Sequence, residues 1–191
     1  MAIAVEKMTE DKRGPYTAED YWNLPEGRRA ELINGWLYDM AAPSRVHQRI
    51  VLGLARAFAD YIDAHGGPCE VNVAPFAVNL FGDDSEFVEP DVTVVCDPAK
   101  LSDRGCEGAP DLVIEVVSPS CRTHDYLKKA NLYEQAGVRE YWIVDPETTQ
   151  TAVYRYGSAD PAALRLAIYP FDQPVPATIW DNFSVTLTDL L

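Results

Sequence analysis

The chain has no apolar run approaching the roughly 20 residues of a membrane-spanning helix, and its first residues lack the apolar core of a signal peptide. A cytoplasmic protein without membrane contact is therefore expected. Its four cysteines, Cys69, Cys96, Cys106 and Cys121, form no CxxC pair and have no histidines at zinc-finger spacing. That excludes a zinc finger, and the cysteines read as reduced and structural. Basic residues are scarce: 16 against 30 acidic ones give a net charge of -14, which repels polyanions and argues against a nucleic-acid coat protein. A nuclease stays open, because metal ions and a local basic patch can offset the global field at the substrate. No repeat, low-complexity segment or linker divides the 191 residues. The expectation is a flexible lead-in over residues 1–16 and a single domain over 17–191.

Against that background one stretch stands out. Residues 110–119, Pro-Asp-Leu-Val-Ile-Glu-Val-Val-Ser-Pro, form an apolar run of strand length carrying a carboxylate at Glu115. Two-residue periodicity points Asp111, Val113, Glu115 and Val117 to one face and Leu112, Ile114 and Val116 to the other, and both faces look buried. A carboxylate there costs several kcal/mol unless it is paired, protonated or metal-bound.

Two Pro-Asp pairs compete as partners. Asp111 shares the face of Glu115 but stands four residues away, about 13 Å along a strand. Magnesium holds oxygen ligands at about 2.0 to 2.1 Å, so two carboxylates sharing it must converge. Asp91, which opens the segment Pro90–Cys96, can reach Glu115 if the two strands are neighbours, and is the better candidate. A lysine would complete a metal-dependent phosphodiesterase site by orienting water and stabilising charge on phosphorus. The simplest motif would place it at position 117, where Val117 stands. The next helix, about His124 to Ala136 and ended by Gly137, offers Lys128 and Lys129 instead. Lys129 lies one turn from Asp125 and from Tyr133. Ser118, Ser120 and Thr123 are alternative caps for that helix.

Earlier in the chain, Thr17 caps a short helix stopped by Pro25. Asn34-Gly35 between apolar runs signals a hairpin carrying Glu31 and Ile33 on one side. A helix from Ser44 to His65 has an apolar stripe of Val46, Ile50, Leu54, Ala57, Phe58 and Tyr61. His47 at its edge reads as a satisfied structural histidine rather than a ligand. Arg45, Arg49 and Arg56 form a flanking stripe, read as a solvated face with a phosphate-facing ridge as the alternative. A strand from Cys69 to Leu80 is interrupted at Pro75, and residues 97–109 look like loop. Two strands, Glu140–Asp145 and Thr151–Tyr156, precede a proline-rich tail of edge strands.

Together these features resemble the Uma-type restriction-endonuclease family of the PD-(D/E)xK nuclease superfamily: Glu31 in a hairpin, Pro90-Asp91, the segment from Asp111 to Pro119, the Asp125, Lys129, Tyr133 ladder, and residues 137–146. The resemblance spans roughly residues 17 to 190. It implies an α/β fold of restriction-endonuclease type, a mixed sheet flanked by helices, and a magnesium-dependent endonuclease acting on DNA, with manganese as a substitute ion. Asp91 and Glu115 would be metal ligands, Glu31 a further acidic site residue, and Lys129 the catalytic lysine migrated from position 117. The competing readings make Asp91 a strand-start cap and Glu115 half of a buried ion pair. Two other functions compete as well: a non-cleaving binding module on the same fold, and a homodimer built on Trp36, Tyr38, Tyr141 and Trp142, aromatics otherwise expected in the core.

Overall fold

Among the described residues the strands form two six-stranded sheets and a separate two-stranded ribbon, and the chain crosses between the large sheets several times, once at Pro75. A computed structural model describes residues 14–118, 124–157 and 165–191, and for residues 124–127 the backbone alone. The expected lead-in up to residue 13 and the candidate caps Ser120 and Thr123 lie outside the described residues, whereas Tyr16 already bonds to the backbone of Gly35.

Thr17 closes a reciprocal capping box with Asp20 and starts α1 (Ala18–Trp22). The hairpin follows as β1 (Ala30–Ile33) and β2 (Trp36–Asp39). Its turn residues Asn34 and Gly35 have φ of 52° and 74°, the left-handed pair that a two-residue hairpin turn requires. Ser44 accepts a hydrogen bond from the backbone of His47 and caps α2 (Arg45–His65), which ends at Gly66.

The segment around Pro75 forms two strands, β3 (Glu70–Val73) and β4 (Ala77–Asn79). They are followed by β5 (Phe87–Val88) and β6 (Val92–Val95). Residues 97–109, expected as loop, hold a short 3-10 turn and the small strands β7 (Leu101–Ser102) and β8 (Gly105–Glu107). Then come β9 (Leu112–Val116), α3 (His124–Ala136), β10 (Glu140–Asp145) and β11 (Gln150–Arg155). The tail adds β12 (Leu166–Pro170) and the pair β13 (Pro174–Pro176) and β14 (Ser184–Thr186).

The first sheet runs β2-β1-β5-β4-β8-β7 and the second β12-β11-β10-β9-β6-β3. Each is mixed: β4 is parallel to β8, and β9 to β10. This is the α/β class expected, with most strands divided between two sheets rather than gathered in one, and β13 and β14 paired apart. A bonded neighbour on each edge and a helix on each face make β9 the centre of the second sheet. Leu112, Ile114 and Val116 pack with Ile50, Leu54 and Phe58 of α2, whereas Val113 and Val117 pack with Ala130 and Tyr133 of α3. Burial on both faces explains why its sequence is a near-continuous apolar run.

One expectation is overturned. Cys69 and Cys96 form a disulfide; Cys106 is free and buried, and Cys121 lies outside the described residues. The cause is register: β3 and β6 are antiparallel with Glu70 opposite Val95, so the next pair outward is Cys69 with Cys96. Separated by 27 residues in sequence, the two thiols meet only once that ladder exists. No helix among the described residues is long and apolar enough to cross a membrane.

Candidate active site

The antiparallel ladder between β6 and β9 pairs Val92 with Ile114, and continuing it by one step sets Asp91 opposite Glu115. Residues opposite each other in a ladder project to the same side. The two carboxylates singled out from the sequence therefore meet at one end of the central strand pair. Asp91 is held there by the backbone N–H of Val116, which donates to its Oδ2 at 2.8 Å. Asp111 stands apart at the other end, where it accepts from the backbone of Cys96 at 2.7 Å and from Arg139 at 3.1 Å.

On the α3 side, the Lys129 ammonium donates to Glu115 Oε1 at 2.8 Å and to Glu31 at 2.9 Å. The Tyr133 hydroxyl adds a third contact, 3.0 Å from the same Glu115 oxygen. Lys129 and Tyr133 are one helical turn apart, so α3 delivers both to one place. Lys128 is exposed and turned elsewhere, as the 100° step between helix neighbours requires. The lysine thus reaches Glu115 as expected, but its second partner is Glu31 rather than Asp91. Glu31 is itself fixed by the backbone N–H of Glu89, 3.1 Å from its Oε1. The ladder member Asp125 has its side chain outside the described residues.

On the α2 side, His47 supplies a contact that the sequence reading assigned to structure. Its Nε2 lies 3.0 Å from Asp91 Oδ2, and the imidazole is buried, with Nδ1 lacking a partner among the described residues. The signal was present in its spacing, since His47 is three, seven and eleven residues before Ile50, Leu54 and Phe58 and so shares the buried face of α2. By the same geometry Arg45, Arg49 and Arg56 point roughly 160° to 180° away from His47, and all three are exposed. They form the solvated face.

The electrostatics follow from enclosure. Side-chain exposure is 15% for Glu115 and 13% for Lys129. Burial pushes the Glu115 carboxyl up to about 7; the Lys129 ammonium opposes this, and the charges of Asp91 and Glu31 reinforce it. Burial alone would lower Lys129, but Glu115 and Glu31 outweigh it and raise its pKa, so the ammonium stays charged. For His47 burial also lowers the pKa, and the hydrogen bond and charge of Asp91, with the charge of Glu115, lift it above its ordinary value. Burial and the charge of Glu115 hold the Tyr133 phenol well above its usual range, so it remains a donor.

The donor set fits a hard divalent cation. Among the described residues Glu115 Oε2 and Asp91 Oδ1 accept no hydrogen bond, leaving one open oxygen on each carboxylate. No three His, Cys, Asp or Glu side chains of the described residues gather into a ready cage. A cation bound by these two carboxylates would complete its shell with water, the habit of magnesium. The Glu115–Lys129 pair also satisfies the competing reading of a buried ion pair; Asp91 opposite Glu115 is the element that reading does not call for.

Comparison with known proteins bears on the family and the fold. A family model described as Uma2, "Putative restriction endonuclease", matches residues 18–186. An uncharacterized protein, slr1290, of Synechocystis is 28% identical over 139 residues, covering 71% of this chain and 72% of that protein. A crystal structure described as a putative nuclease belonging to DUF820 from Anabaena variabilis superposes with a TM-score of 0.73 at 20% identity. That match covers 92% of this chain and 97% of the other, and at such identity it shows a shared fold. From the span of the family match, the chain belongs to the Uma2 restriction-endonuclease family.

Proposed function

We propose that the chain is a magnesium-dependent endonuclease that hydrolyses phosphodiester bonds in DNA, with Asp91 and Glu115 as metal ligands and Lys129 as the catalytic cation. The observation that carries this reading is the meeting of Asp91 and Glu115 across the ladder, each with an open oxygen, beside a lysine kept charged by two carboxylates. A divalent ion held by the two would polarise the phosphate and make water nucleophilic near neutral pH. Manganese would serve in the same oxygen set.

The remaining work falls to the chain. Lys129, tethered between Glu31 and Glu115, keeps a positive charge at the site to orient the attacking water or stabilise a non-bridging phosphate oxygen. Glu31 anchors that ammonium, and Tyr133 donates to Glu115 and fixes its carboxylate plane. His47 and the Val116 N–H together hold Asp91 by one oxygen, which turns the other outward. This division of labour gives the lysine a part in catalysis and spares it one in holding the ion.

A second reading has its own support. Glu31, Lys129 and Glu115 already neutralise one another in part, so the triad could serve a binding module that retains the fold without cutting. Incubation of the purified protein with plasmid and linear DNA in magnesium, manganese or chelator separates the two. The nuclease reading expects nicking or cutting in either ion, none in chelator, and none from Glu115→Gln. Absence of metal-dependent cutting by folded protein would reject it in favour of the binding module.

A further inference from the structure

Two large aromatic side chains stand partly exposed beside the site, with Gly14 packed against the Trp36 ring. Trp36 is 46% and Tyr38 42% exposed, and among the described residues neither stacks on another ring or carries a cation. The β1–β2 register fixes where they stand: Tyr38 is opposite Glu31 and Trp36 opposite Ile33. Partners in a ladder share a face, so both rings lie on the face from which Glu31 meets Lys129. The alternation of burial supports this independently. Ile33 packs with the cluster beneath α3, whereas Leu32 and Leu37 turn the other way, against Tyr21 and Phe87. The second exposed tryptophan, Trp22, is accounted for by its ring contact with Phe87 and by Arg104 above it.

What would two partly exposed rings on an edge strand bind, next to a nuclease centre? The protein offers polyanions little general attraction, with 16 basic against 30 acidic residues and the arginine stripe of α2 turned away from Asp91. Duplex binding relies chiefly on neutralising phosphates, and is poorly served here. Stacking of bases on aromatic rings requires no net charge and tolerates any sequence. Trp36 and Tyr38 are two strand residues apart, roughly 7 Å, about double the 3.4 Å rise of a stacked strand. Each ring would therefore take a base from a strand whose own stacking has opened.

We propose that Trp36 and Tyr38 form a stacking platform for unpaired bases, so that this site engages single-stranded DNA beside the bond to be cut. The proposal rests on the nuclease reading for the identity of the ligand. Its test is binding measured apart from cutting. Fluorescence anisotropy of a labelled oligonucleotide, alone and annealed to its complement, is read with full-length protein in chelator. The single strand binds more tightly than the duplex, with a shallow salt dependence. Trp36→Ala with Tyr38→Ala raises its Kd at least about thirtyfold, the loss expected for two stacked bases. Trp36→Phe with Tyr38→Phe keeps most of the affinity.

Equal binding of single strand and duplex would overturn the platform, as would a folded double-alanine protein with unchanged Kd. Sedimentation on the same variants tests the other occupant: a dimer that the alanines dissolve, with no change in oligonucleotide affinity, would assign the surface to a second copy of the chain. Cleavage in magnesium is read in parallel. Cutting without strand preference leaves the nuclease reading and removes the platform. Single-strand binding without cutting leaves the platform and removes the nuclease reading.

Discussion

The two Pro-Asp pairs occupy equivalent places at opposite ends of one strand ladder. Asp91 enters β6 and accepts a hydrogen bond from the backbone of Val116 on β9; Asp111 enters β9 and accepts one from Cys96 just beyond β6. The two bonds are related by the local two-fold axis of the antiparallel pair. What differs is the company. Four residues beyond Asp111 stands Glu115, whereas four beyond Asp91 stands Val95, fully buried among apolar side chains. Asp91 faces Glu115 and is gripped by buried His47, while Asp111 meets Arg139, whose side chain is 55% exposed. A proline-aspartate pair is thus a way to begin a strand and satisfy its neighbour's backbone. It becomes a candidate active site only where the register brings a second carboxylate and a protected lysine to it.

The largest expected effect separates two adjacent lysines of α3, of which Lys129 reaches the first of these ends and Lys128 is exposed. Lys129→Ala should lower cleavage about a hundredfold or more at saturating magnesium, while Lys128→Ala changes it little. Metal binding by Lys129→Ala, read by calorimetry, should persist, because the ammonium acts on water and phosphate. The same substitution leaves Glu31 and Glu115 buried without their cation, a change worth about 3–5 kcal/mol in comparable buried pairs. Urea unfolding should therefore accompany the assay, and equal, small effects of the two lysines in folded protein would leave Lys129 structural.

A smaller effect sharpens the contrast through pH. Glu115 is pushed up to about 7, so between the ordinary carboxylate range and about pH 7 the folded protein holds a proton that the unfolded chain has released. The unfolded state then binds fewer protons, and the metal-free protein loses stability as pH rises through that window. Metal binding needs the carboxylate, so apparent magnesium affinity should climb with pH to about 7 and then level. Lys129 opposes the rise at Glu115, and its removal should shift that climb to higher pH. Affinity flat from pH 5 to 8 would show that the ion does not depend on Glu115.

Much of the site was legible because a charge inside an apolar, strand-length run has few explanations. Glu115 announced itself by that conflict, and ligand distances alone preferred Asp91 to Asp111. Lys129 was accessible through helical spacing, since Tyr133 one turn on faces the same way. Glu31 needed the family resemblance. Other features depend on register or packing, which no local pattern contains. The Cys69–Cys96 disulfide requires the β3–β6 ladder, and the division into two large sheets rests on several crossings of the chain, only one of them at Pro75. His47 was legible as a buried residue but not as the partner of Asp91, because that contact lies between a helix start and a distant strand end. Trp36 and Tyr38 looked like core along with Tyr141 and Trp142; only the second pair is buried, since β2 is a sheet edge and β10 is interior.

The most direct test is a matched exchange at the two ends of the ladder. Asp91→Asn and Asp111→Asn both keep shape and remove one charge, and both proteins can be checked for folding by circular dichroism before DNA cleavage is timed in magnesium. Asp91→Asn is expected to lose at least about a hundredfold in rate, while Asp111→Asn stays within a few-fold of the parent. Equal losses, or a greater loss at Asp111, would contradict the placement of the active site at the Asp91–Glu115 end.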